Sequence, residues 1–196
     1  MTGQNQSNST SAAKKKHPAA IVSWLALAVA ILIAGYAVRT TFEPGDLRPG
    51  GSDTAGLPGR GEMAPDFAAI DSDGNLVRFS DFAGRPIWLN FWGSWCPPCR
   101  AEVPDMVQAW DVIEDSGVVL VAVSLEEPSD VAFTYAEDTG MTFIVLSDPE
   151  REAIRGKYRV RSFPTHLFID SDGIVQDISL TPMSAQTAIQ KARSIR

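Results

Sequence analysis

Apolar and polar positions divide this chain into one long apolar run near the N-terminus and a later series of short ones. Residues 19–38 read AAIVSWLALAVAILIAGYAV, with no charged side chain. A helix of about 20 apolar residues is what a bilayer crossing requires. Lys14, Lys15 and Lys16 precede the run. The positive-inside tendency therefore places the N-terminus in the cytoplasm and everything after Arg39 outside it. A cleaved signal peptide is the rival reading, with small residues around Gly35-Tyr36-Ala37. The apolar part of such a peptide is usually about 7–15 residues, shorter than this run, so an uncleaved anchor is preferred. No cysteine lies at the end of the run, which excludes a lipoprotein anchor. The expected division is a polar tail over 1–18, a transmembrane helix over 19–38, a Gly/Pro-rich linker over 39–61 and a folded domain over 62–196.

Within that domain the periods of strand and helix alternate. Phe67–Ile70 and Leu76–Phe79 flank Asp71-Ser72-Asp73-Gly74-Asn75, a turn signal, and predict a hairpin at the domain's entrance. Ser80–Gly84 reads as a turn or one helical turn. The apolar run Ile87–Phe91 predicts a buried strand, and a helix is expected from about Cys99 to Asp115, bent near Pro104. Val118–Val123 is wholly apolar, as a central strand would be. Pro128-Ser129-Asp130 opens a helix that Gly140 ends. Phe143–Leu146 is a further strand. Asp148-Pro149 caps a helix ending near Tyr158, with proline at its first position. Thr165–Ile169 and Ile174–Leu180 flank Asp170-Ser171-Asp172-Gly173 as a second hairpin. Ser184 caps a last helix to about Ser194. The order predicts an α/β sandwich with a mixed central sheet flanked by helices.

Composition and charge narrow the function. About 135 residues follow the linker, enough for one core. From Thr41 onward stand all 24 acidic residues and 13 of the 17 Lys and Arg, a net of about −11. So acidic a domain is a poor binder of nucleic acid or anionic lipid. The chain has 2 cysteines and 2 histidines, His17 and His166. These numbers rule out a disulfide scaffold and argue against a zinc site, and no metal or cofactor is expected.

Both cysteines fall in Trp95-Cys96-Pro97-Pro98-Cys99, directly after a strand and at the start of a helix. Two thiols so placed are suited to trade electrons as a dithiol/disulfide pair. Cys96 is expected to be the exposed thiol, with the free N–H groups and dipole of the helix N-terminus favouring its thiolate. Cys99, one turn further in, is expected to be more buried. In this reading Cys96 attacks a partner disulfide and Cys99 resolves the mixed disulfide. Pro97 and Pro98 supply neither an N–H nor a charge, which favours a reducing rather than a strongly oxidising pair.

The segment from Leu89 to Pro104, LNFWGSWCPPCRAEVP, closely resembles the active-site segment of TlpA-like and ResA-like thioredoxins. The resemblance begins at Ala64-Pro65-Asp66-Phe67 and covers nearly all of residues 62–196. It implies a thioredoxin-like fold with an N-terminal hairpin extension and a central insertion, here Leu125 to Tyr158. It also implies a membrane-anchored thiol–disulfide oxidoreductase working outside the cytoplasm, on the periplasmic or outer face. Cys96 and Cys99 match the nucleophilic and resolving cysteines. Pro164, in Phe163-Pro164-Thr165, matches a proline whose preceding bond is cis and which faces the cysteines. Glu102 matches an acidic residue implicated in thiol ionisation and proton transfer. Trp95, Pro97, Pro98, Phe163 and Pro164 are the expected contacts to a substrate strand, with Trp92 and Trp95 walling the site. The implied substrate is a disulfide-bearing protein, such as an apocytochrome c before haem attachment, and the implied electron donor is a membrane protein.

His166 departs from the family, whose members often carry Thr there. A place near the sheet face beside the motif is one reading of it; an ordinary half-exposed strand residue is the preferred one. Three other readings stay open. A peroxiredoxin would need Thr or Ser three residues before its reactive cysteine and a proline further upstream, where this chain has Gly93 and Leu89. A Cu(I)-handling protein would use Cys96 and Cys99 as ligands. A non-catalytic binding module would leave the cysteines dispensable.

Overall fold

The computed structural model describes residues 56–150, 154 and 157–195, together with Val29. The run assigned to a membrane, 19–38, lies outside the described residues except at Val29, as do the tail and most of the linker. Among the described residues no helix is long and apolar enough to cross a membrane.

The strands are β1 (Ala68–Ile70), β2 (Leu76–Arg78), β3 (Ile87–Trp92), β4 (Val119–Leu125), β5 (Ile144–Asp148), β6 (Thr165–Ile169) and β7 (Val175–Ser179). The helices are α1 (Pro97–Ile113), α2 (Ser129–Asp138) and α3 (Ala185–Ser194), with short 3-10 turns over Phe79–Phe82 and Glu114–Ser116. The strands form one seven-stranded sheet in the order β2-β1-β5-β4-β3-β6-β7. β3, β4 and β5 run parallel, and the remaining pairings are antiparallel. The entrance hairpin β1–β2 thus extends the sheet beyond β5. The segment that resembles an insertion supplies α2 and β5, so it is part of the sheet itself.

Every residue of β3 and β4 is buried, because both faces of the sheet are covered. Alternate side chains sort into two cores. Leu89, Phe91, Val121 and Val123 join Phe67 and Tyr158 on one face. Trp88, Trp92, Leu120 and Phe168 join Met106, Ala109 and Ala188 on the other, where α1 packs beside α3. Tyr158 is buried, which pushes its phenol well above the usual range, and its hydroxyl donates to the Pro65 carbonyl at 2.6 Å.

The two Asp-Ser-Asp-Gly turns fold alike. Asp71 Oδ1 accepts from the N–H groups of Asp73 and Asn75 at 2.9 and 2.8 Å. Asp170 Oδ1 accepts from those of Asp172 and Ile174 at 3.0 and 2.9 Å. Each turn places its glycine at positive φ, +80° for Gly74 and +82° for Gly173, where an L side chain would be strained.

Helix α1 begins two residues earlier than expected, because Pro97 and Pro98 occupy its first positions, where no N–H is needed. It continues through Pro104, which forfeits the bond to the Arg100 carbonyl. Helix α3 starts where expected, its Ser184 hydroxyl accepting from Thr187 N–H. Half of the helix expected over 149–158 lies outside the described residues; Ile154 is helical, and its N–H donates to Asp148 Oδ2 at 3.2 Å.

Candidate active site

Strand β3 ends at Trp92, and the chain turns through Gly93-Ser94-Trp95 into α1. Cys96 is the N-cap, in extended conformation, and its sulfur accepts the backbone N–H of Cys99 at 3.3 Å. Cys96 and Cys99 are joined as a disulfide with their Cα atoms 5.3 Å apart. Both residues are buried, Cys96 at 3% and Cys99 at 2% exposure, which corrects the expectation of an exposed Cys96. The reason is the cap: turning inward to meet Cys99 N–H sets the Cys96 sulfur into the core that holds Trp92 and Met106.

The rim carries the expected contact residues. Pro97 and Pro98 are exposed at the start of α1. Trp95 is 46% exposed, and its indole N–H donates to the Leu125 carbonyl at 2.9 Å. The Trp95 and Phe163 rings meet edge to face, their centroids 5.0 Å apart. That contact brings the loop before β6 to the motif. The Phe163–Pro164 bond is cis, as the family resemblance implied, and Pro164 is buried.

A polar network lies beneath the disulfide. Glu102, on α1, is 2% exposed; its Oε2 stands 3.1 Å from His166 Nε2, and its Oε1 accepts from Met183 N–H at 2.7 Å. His166 is fully buried, which corrects the half-exposed strand residue expected from sequence. Its strand lies between β3 and β7, and its register partner is Asn90, on the face that α1 covers. The Trp88 indole N–H donates to His166 Nδ1 at 3.2 Å, and the Asn90 amide nitrogen stands 3.0 Å from the same atom. Asn90, Trp92, Cys99 and Glu102 line one crevice behind the disulfide, too narrow to admit a water molecule. Asn90 Oδ1 and Trp92 Nε1 have no hydrogen-bond partner among the described residues.

Glu127, which sequence reasoning passed over, anchors the loop before Cys96. Its buried carboxylate accepts from Ser94 N–H at 2.8 Å and from the hydroxyls of Ser94 and Ser124. Polar residues set in apolar runs, Asn90 in β3 and His166 in β6, were the available signals for the network. Glu127 had none, since acidic residues beside a helix start are ordinary. Among the described residues, no three His, Cys, Asp or Glu side chains cluster to hold a metal ion. A Cβ on Gly93 would fall 2.4 Å from Trp95 Nε1, so the Thr or Ser that a peroxiredoxin needs there would push the Trp95 indole aside.

Residues 60–178 match the AhpC/TSA family. The thiol–disulfide oxidoreductase ResA of Geobacillus kaustophilus is 35% identical over 136 residues, 69% of this chain and 78% of that protein. The thioredoxin-like protein YneN of Bacillus subtilis is 30% identical over 171 residues, 86% of this chain and 95% of that protein. The solved structure of a thiol:disulfide interchange protein of the thioredoxin family from Chlorobium tepidum is similar with a TM-score of 0.62 at 26% identity, covering 70% of this chain and 98% of that one. Taken with a disulfide at the head of α1, these likenesses show that the chain belongs to the AhpC/TSA family and is, within it, a ResA-type thiol–disulfide oxidoreductase of thioredoxin-like fold.

Proposed function

We propose that this protein is a membrane-anchored, extracytoplasmic reductant of protein disulfides. The observation that carries the chemistry is the Cys96–Cys99 disulfide at the N-terminus of α1, with Cys99 N–H on the Cys96 sulfur. In the reduced enzyme, the same N–H and the helix dipole favour a thiolate on Cys96. That thiolate attacks a partner disulfide, and Cys99 then displaces the reduced partner. Glu102 takes the proton that Cys99 sheds as it attacks.

Trp95, Pro97, Pro98 and Phe163 form the surface on which a partner strand lies, main chain against main chain at residue 163, with Pro164 buried directly behind it. An apocytochrome c with an oxidised haem-attachment pair fits as substrate, and a membrane protein that passes electrons outward fits as donor. The anchor over 19–38 and its three preceding lysines support placement on the outer side of the cell membrane.

The reduction potential of Cys96–Cys99, measured on the full chain in dithiothreitol or glutathione buffers, tests the direction of flow. A value near or below the roughly −270 mV of thioredoxin supports the reductant. A value near the roughly −120 mV of DsbA overturns it in favour of disulfide formation.

A further inference from the structure

His166 and Glu102 stand 64 residues apart in sequence and meet under the disulfide. The partners of the imidazole settle which of its nitrogens bears the proton. An indole N–H can only donate. The Trp88 N–H points at His166 Nδ1 from 3.2 Å, so Nδ1 is the acceptor. The Asn90 amide nitrogen, 3.0 Å from the same atom, adds a second donor. The proton of the neutral ring is therefore on Nε2, and Nε2–H donates to Glu102 Oε2 at 3.1 Å. A proton placed on Nδ1 would face the Trp88 N–H head-on in a site closed to water. His166 is thus a fixed donor and not a proton relay.

Met183 N–H holds the other Glu102 oxygen at 2.7 Å. Glu102 and Cys99 line the same crevice, which excludes water, so a proton leaving Cys99 has the carboxylate as its nearby acceptor.

We propose that His166 is a positioning residue for thiol–disulfide exchange: its Nε2–H, held in that tautomer by Trp88, keeps the Glu102 carboxylate oriented as the proton acceptor behind Cys99. The inference rests on the reading of Glu102 given under the proposed function. In the step concerned, Cys99–SH gives its proton to Glu102 while its sulfur attacks Cys96 Sγ of the mixed disulfide. The Cys96–partner S–S bond breaks and the Cys96–Cys99 bond forms. The partner sulfur leaves as a thiolate that takes a proton from solvent. Two electrons pass from the enzyme dithiol to the partner disulfide.

The test is single-turnover reduction of insulin disulfides by the pre-reduced full chain, combined with ¹⁵N spectra of histidine-labelled protein. His166→Leu removes the donor and slows the reaction about tenfold, part of the 10²–10⁴ typical of a positioned proton acceptor, whereas His166→Gln, which keeps a donor, stays within about twofold of the unsubstituted chain. Glu102→Gln slows it at least as much as His166→Leu, and the double variant is no slower than Glu102→Gln alone. The spectra show His166 protonated on Nε2, and Trp88→Phe alters that signature. Slowing by Glu102→Gln with none by His166→Leu, or effects that multiply in the double variant, overturns the role of His166 and leaves that of Glu102. An unchanged rate in Glu102→Gln overturns both. A spectrum with the proton on Nδ1 overturns the inference whatever the rates, and stands even if His166→Leu fails to fold.

Discussion

Ser94 donates its backbone N–H to Glu127 Oε1 at 2.8 Å, tying the loop that leads into Cys96 to the loop that leaves β4. The Ser94 hydroxyl bonds the other carboxylate oxygen, and the Ser124 hydroxyl bonds the first. Removing the acceptor leaves three donors without that partner, the Ser124 hydroxyl fully buried and the two of Ser94 half-buried. Glu127→Ala is expected to lower stability by about 1–3 kcal/mol and to slow insulin reduction. Urea unfolding and the insulin assay check the two parts. An unchanged midpoint would mean that water replaces the carboxylate at no cost.

Gly93 has no room for a side chain while the Trp95 indole stays in place, because Trp95 Nε1 would lie 2.4 Å from its Cβ and Trp95 Cε2 2.8 Å. In Gly93→Ala the indole must swing off the Leu125 carbonyl, losing one hydrogen bond worth about 1 kcal/mol. The larger effect falls on the rim, where Trp95 meets Phe163. KM for a protein disulfide is expected to rise while kcat changes little. A KM equal to that of the parent would show that Trp95 takes no part in holding the partner.

The roles proposed for the two cysteines are unequal, and trapping separates them. Cys99→Ser leaves the attacking thiol without its resolving partner, so a mixed disulfide through Cys96 accumulates. Cys96→Ser accumulates none. Non-reducing electrophoresis of the full chain incubated with an oxidised protein reads both variants. Trapping through Cys99 in Cys96→Ser, with none in Cys99→Ser, would reverse the assignment.

Asp177, on β7, pairs with Lys191 of α3 and with Arg60. Burial pushes its carboxyl up, but the hydrogen bonds from Lys191 and from Ile178 N–H, with the charges of Lys191 and Arg60, outweigh that and hold it below the usual value of 3.8. A depressed carboxyl stabilises the fold above its unfolded pKa, and the contribution is lost as pH falls from about 3.8 through the lower folded value. Asp177→Asn is therefore expected to cost up to about 1 kcal/mol at neutral pH and to flatten the acid limb of stability against pH. Thermal melts between neutral pH and the acid limit, for both chains, decide it.

The elements were legible because their signals are local. Ser184 caps α3 from three residues away, Asp71 and Asp170 close their own turns, and the apolar runs of β3 and β4 announce strands covered on both faces. The disulfide motif carries its own chemistry in five consecutive residues, and the family resemblance pointed to Glu102 and Pro164. The sequence alone did not determine what surrounds those residues. His166 meets Glu102 across 64 residues, and Glu127 meets Ser94 across 33. Neither pairing has a periodicity or a spacing to betray it. The register of β6 on β3 puts His166 opposite Asn90, and the docking of α1 over that face brings Glu102 down to it. Burial then turns an unremarkable strand histidine into a fixed hydrogen-bond donor, since a polar group shut away from water must find its partner within the protein.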